Sequence, residues 1–194
     1  MNLTNPLVLR FFINLPAFLV ALVVHEYAHG FTAYKFGDYT AKHMGRLTFN
    51  PLAHIDLFGT ILLPLFLIIQ HAPFVVGWAK PVPVNFYNLD NPKKNMIWVA
   101  LAGPAANFIT AGVIYFFLKL GILTNPLLMS FLINVFLINI VLGLFNLIPI
   151  PPLDGSRILM GILPLKLARI YAKIKPIYGM IILIFLLAIL RRIF

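Results

Sequence analysis

Two apolar runs, Met96–Leu118 and Leu127–Ile148, leave this chain few folds to choose from. Each is as long as the ~20 residues an α-helix needs to cross the hydrocarbon core of a bilayer. A third apolar stretch, Leu7–Tyr34, precedes them, and a shorter one, Ile177–Leu190, follows. A chain of 194 residues that is 61% hydrophobic and only 10% charged cannot hide that much apolar surface in one soluble core. The expected class is an all-α membrane protein, a polytopic helix bundle with about four to five spans. It reads as a single domain over residues 1–194.

Between the long runs the pattern changes. Ile55–Ile69 is apolar but short for a span and contains Gly59 and Pro64, which suits a re-entrant or partial helix. Tyr39–Asn50 places Thr40, Thr48 and Phe49 at strand-like positions. Phe74–Val84 carries Gly77, Pro81 and Pro83 among Trp78 and valines, and reads as extended chain. A short membrane-associated β-strand or hairpin is expected here.

The net charge of +10 comes from 15 Lys and Arg against 5 Asp and Glu. The cations fall between the apolar runs and form no basic stripe on a soluble element. They mark loops against anionic lipid rather than a nucleic-acid surface. There is no cysteine, so thiolate ligands, disulfides and cysteine nucleophiles are excluded, and a metal site must use nitrogen and oxygen. The first residues lack a basic segment before a stretch too long for a signal-peptide core, so no cleaved signal peptide is expected.

The only glutamate in the chain, Glu26, lies inside the first apolar stretch as part of His25-Glu26-Tyr27-Ala28-His29. On a helix, residues i and i+4 share a face, so His25 and His29 can present two imidazoles to one metal ion. Glu26 sits beside them within reach of a metal-bound water. Carboxylates and imidazoles are expensive inside a membrane, so they mark function. A catalytic zinc takes three protein ligands. His43, His54, His71 and the four aspartates are candidates for the third. Asp154 is favoured because it follows a long apolar span, where a cation would compensate its charge.

If His25, His29 and Asp154 share an ion, the chain between them makes an even number of crossings. Met96–Leu118 and Leu127–Ile148 supply two, so Ile55–Val84 crosses zero times net. That side then carries Lys35, Lys42, Arg46, Lys80, Lys93 and Lys94, with Arg157, Lys166, Arg169, Lys173 and Lys175. The other side carries Arg10 and Lys119. The positive-inside rule makes the first side cytoplasmic, in a multi-pass protein of the cell membrane. Asn146, read as lying on the same helix as Asp154, could donate to an oxyanion or hold substrate backbone. Asn134 and Asn139 read as interhelical hydrogen bonders, and Asn107 with Gly103-Pro104 as close helix packing.

These residues resemble the site-2 protease family of intramembrane zinc metalloproteases, in its compact prokaryotic form without PDZ or CBS domains. The likeness runs through His25-Glu26-Tyr27-Ala28-His29-Gly30, Asn50-Pro51, His54-Ile55-Asp56, Gly59-Thr60 and Gly77-Trp78-Ala79-Lys80-Pro81-Val82-Pro83-Val84. It continues through Ala102-Gly103-Pro104 with Asn107 and ends in Asn146 to Gly155. Ser156 stands where many relatives have a second glycine.

The resemblance implies one Zn2+ per chain on His25, His29 and Asp154, with Glu26 as base and Asn146 as an active-site amide. It implies a substrate that is a transmembrane helix, unwound and paired against Gly77–Val84 within the lipid bilayer. Serine and aspartyl intramembrane chemistry fit worse, since Ser130 and Ser156 lack a matching context and only Glu26 and Asp154 are buried carboxylate candidates. The reading from another class is a metal transporter or sensor without proteolytic activity. Against it, the acidic groups converge on one site and make no path across the bilayer.

Overall fold

The computed structural model describes residues 6–70, 77–122 and 124–193. Three long helices form its centre: α1 (Pro6–Lys35), α4 (Pro92–Lys119) and α5 (Pro126–Asn146). Between α1 and α4 lie α2 (Thr40–His43), a π-helical turn at Leu57–Leu62 and α3 (Leu63–Ile69). After α5 come α6 (Asp154–Ile162), α7 (Leu165–Tyr171) and α8 (Pro176–Ile193).

Two Asn-Pro pairs start the central helices. Asn125 Oδ1 accepts the backbone N–H groups of Leu127 and Leu128, and Asn91 Oδ1 accepts that of Lys94. Proline at the first helical position loses no hydrogen bond, because that N–H has no partner inside the helix. Helices α4 and α5 are long and apolar enough to cross a membrane.

Packing is inside-out relative to a soluble protein. On α5 the buried positions are Val135, Asn139 and Gly143, whereas Leu137, Val141 and Leu144 face outward. On α4 the buried stripe is Val99, Gly103, Asn107 and Ala111; on α1 it is Ala17, Ala21, His25, His29 and Ala33. Every stripe recurs at four residues, so small and polar groups line one face of each helix. This suits lipid outside and close helix packing within. Helix α4 packs against α1, α5 and α6 and forms the hub.

Three expectations need correction. Thr40 starts a one-turn helix, not a strand: its N–H and hydroxyl both go to Asp38 Oδ1, which turns the chain, and Gly45 at φ +64° ends the turn. No strand forms among the described residues. Residues 77–85 do run extended, but Pro81 and Pro83 remove two N–H donors, and the remaining bonds go chiefly to side chains and loop carbonyls. Residues 71–76, including the start of the expected strand, lie outside the described residues.

Asn146 and Asp154 are not on one helix. Asn146 ends α5, a proline-rich turn follows, and Asp154 opens α6. Proline cannot continue the helix, so the break falls before the carboxylate. Gly155 permits the tight return, since a methyl there would overlap the carbonyls of Leu147 and Ile148. The apolar stretch Ile55–Ile69 folds as a short helical segment whose first turn is π-helical, with Asp56 Oδ1 accepting the N–H of Gly59.

Candidate metal centre

His25 and His29 project from α1 toward α4, and Asp154 enters from the start of α6. Their closest atoms form a triangle. His25 Nε2 and His29 Nε2 are 3.0 Å apart, and Asp154 Oδ2 lies 3.1 Å from the first and 3.2 Å from the second. Both imidazoles are buried, and among the described residues no other set of three His, Asp or Glu converges in this way.

The outer nitrogens decide what the triangle can hold. His25 Nδ1 is 2.6 Å from Asn107 Oδ1. Asn107 Nδ2 donates to the Ala21 carbonyl at 3.0 Å and to Asn139 Oδ1 at 2.8 Å, so its oxygen must be the acceptor toward His25. His29 Nδ1 donates to the Val99 carbonyl at 2.7 Å. Pro104 cannot donate to Ala100, so the α4 ladder is interrupted next to that carbonyl. With both Nδ1 atoms as donors, each Nε2 presents a lone pair.

Three electron-rich atoms thus face one another with no donor between them. That set repels itself unless a cation lies within it. A tetrahedral zinc with bonds of about 2.0–2.1 Å separates its ligand atoms by about 3.3 Å, close to the observed spacing. The residues therefore fit a zinc ion.

The triangle lines a cavity of about 260 Å³ together with Glu26, Pro81, Val82, Asn146 and Arg157. Glu26 Oε2 accepts the backbone N–H of Val82 at 2.7 Å. Asn146 Nδ2 donates to the Leu142 carbonyl at 3.0 Å, one helical turn back. The Arg157 guanidinium lies 4.5 Å from the Phe86 ring centre, a cation over an aromatic face.

The other candidate ligands are engaged elsewhere. His43 is exposed and stacks on Tyr39. His54 is fully buried and bonds the Thr48 carbonyl through Nε2, separately from Asp56. Asp38 ties down residues 85–88, and exposed Asp90 donates its backbone N–H to Phe36. His71 lies outside the described residues.

Sequence reasoning missed three contributors. Asn107 orients His25 instead of merely packing helices. Val99 supplies a carbonyl to His29. Gly103 admits both rings, because a methyl there would overlap His29 Nε2 and His25 Cε1. The available signal was the four-residue spacing of Val99, Gly103 and Asn107, which puts them on one face. Asn139 does bond between helices, as expected.

Comparison with known proteins agrees with this geometry. The profile of peptidase family M50 matches residues 13–126 and 121–189. YwhC of Bacillus subtilis is 43% identical over 75% of this chain and 67% of its own length. Rip2 of Mycobacterium tuberculosis is 30% identical over 92% of this chain and 68% of its own length. MJ0392 of Methanocaldococcus jannaschii is 28% identical over 86% of this chain and 40% of its own length. All three names contain the words zinc metalloprotease. No solved structure matches the chain. The chain belongs to peptidase family M50, the site-2 proteases.

Proposed function

We propose that this site-2-type metalloprotease hydrolyses peptide bonds within or beside transmembrane segments, using His25, His29 and Asp154 to hold one zinc ion. The observation that carries the reading is the convergence of three lone-pair atoms in a cavity that also contains a carboxylate, an amide and an extended backbone. When bound, zinc supplies Lewis acidity, which lowers the pKa of water from ~15.7 toward ~7 and polarises a carbonyl.

Glu26 is the base. One of its oxygens is occupied by the Val82 N–H, which leaves the other to take a proton from water. The water oxygen bonds the carbonyl carbon, the C–N bond breaks, and Glu26 returns the proton to the leaving amine. Asn146 opens toward the same cavity and donates to the developing oxyanion after giving up its bond to Leu142.

A transmembrane helix satisfies its own backbone hydrogen bonds and hides its peptide bonds. It must unwind before it can be cut. Among the described residues, the N–H of Val84 and the carbonyls of Val82 and Val84 have no protein partner. They offer an unwound substrate replacement bonds of the strand-addition kind. The short Leu57–Ile69 segment is read as re-entrant, and the metal as lying toward the cytoplasmic side, in agreement with the distribution of cations. The whole chain acts as one membrane-embedded domain.

The test is Glu26→Gln in proteoliposomes with a transmembrane substrate. Zinc content should equal that of the wild type while cleavage is abolished. Cleavage by the variant would remove Glu26 from the reaction.

A further inference from the structure

Two charged side chains away from the metal cluster are buried, Asp38 completely and Arg46 almost so. Neither has an ion-pair partner among the described residues. Burying an unpaired ion is costly unless hydrogen bonds compensate it. Arg46 directs its bonds to the extended segment 77–85, and Asp38 divides its bonds between Thr40, on its own turn, and residues 85 and 88 at the far end of that segment.

Arg46 Nη2 donates to the carbonyls of Lys80, at 2.8 Å, and Pro81, at 3.2 Å. Asp38 Oδ2 accepts the N–H of Asn85 at 2.7 Å, and its Oδ1 accepts from Asn88 Nδ2 at 3.0 Å. Between these two anchors lies Val82, the residue whose N–H reaches Glu26. Its side chain packs against Gly30, where an added methyl would come within 2.9 Å of Val82 Cγ1. Prolines 81 and 83 take away donors with which a neighbouring strand could hold the segment. Side chains have to hold it instead. A guanidinium suits adjacent carbonyls, and a carboxylate can accept several donors at once.

The anchors have a further property. Asp38 and Arg46 both lie just beyond the helix that carries Glu26, so the segment is fastened to the base's own stretch of chain. We propose that Arg46 and Asp38 are positioning residues. They hold residues 77–85 across the cleft so that the Val82 N–H orients the Glu26 carboxylate and the free edge at Val82–Val84 meets the substrate in register with it. This rests on the reading of Glu26 as base.

The test uses the full chain in proteoliposomes, with Arg46→Lys and Asp38→Asn as separate near-isosteric variants. Zinc per chain, deuterium uptake of residues 77–88, and kcat and KM for a transmembrane peptide are measured. Zinc content should stay at the wild-type level and uptake at 77–88 should rise while α1 and α4 stay protected. The zinc-loaded variants should lose at least about 10-fold in kcat/KM, with KM raised as well as kcat lowered. A purely structural role would lower the yield of folded protein but leave kcat and KM of each zinc-loaded molecule unchanged, and that result would overturn the proposal. So would unchanged uptake at 77–88. Failure of the protease reading looks different: wild-type protein would cut nothing, while the uptake change in the variants would still appear.

Discussion

Asn107 Oδ1 lies 2.6 Å from His25 Nδ1, and the amide end of the same side chain is held by Ala21 and Asn139. One asparagine on α4 therefore sets both the tautomer and the angle of an imidazole on α1. Asn107→Ala should lower zinc affinity about 10- to 100-fold, the usual cost of losing a partner that orients a metal ligand. A chelator competition titration measures it. Unchanged affinity would mean that helix packing alone orients His25.

Gly103 tolerates no side chain, because its Cα faces both imidazoles. Gly103→Ala should displace the rings and destabilise the fold by about 1–3 kcal/mol, as overpacking does. Zinc binding should weaken more than thermal stability. The two are separated by comparing metal-loaded and metal-free unfolding of the variant.

Metal removal should also be visible in stability. The α1, α4 and α5 stripes are held by close packing of small side chains and by the Asn107–Asn139 hydrogen bond, so metal-free protein should stay helical by circular dichroism. Zinc at 100 times its dissociation constant should add about 2.7 kcal/mol. Asp154→Ala should abolish most of that increment, because two imidazoles alone leave the site short of a ligand.

Asn146→Ala should retain zinc and lower kcat by about 10²- to 10³-fold, the cost of deleting one oxyanion donor. Asn146→Asp should be no better, since a carboxylate offers an acceptor where a donor is needed. Wild-type kcat in either variant would return Asn146 to a purely structural role.

Asp38 predicts a pH dependence. Burial raises the pKa of its carboxyl, but hydrogen bonds from Thr40, Asn85 and Asn88 outweigh that and hold it below the ordinary 3.8. A depressed folded-state pKa stabilises the ionised form. The contribution is present in full above the unfolded-state value and fades as pH falls through the lower folded-state value. The protection factors of amides 77–88, taken relative to intrinsic exchange at each pH, should therefore be flat from neutral pH down to about 5 and fall only below about 4. Asp38→Asn should remove that acid step.

Much of this protein is legible in its amino-acid order, because the signals involved are local. Chain length against bilayer thickness marks α4 and α5. Helical periodicity places His25 and His29 on one face, and a carboxylate after an apolar run points to Asp154. Other features depend on which surfaces meet. Asn107 looks like any membrane asparagine until α4 lies against α1 and its oxygen faces His25. Thr40 looks like a strand residue until Asp38 captures it. The segment 77–85 looks like an edge strand, but two prolines and two buried ions make it a strap with no neighbouring strand among the described residues. Local pattern decides which segments become helices and which side chains share a face. Only the packed bundle decides which buried donor meets which acceptor, because each of those bonds joins residues far apart in the chain.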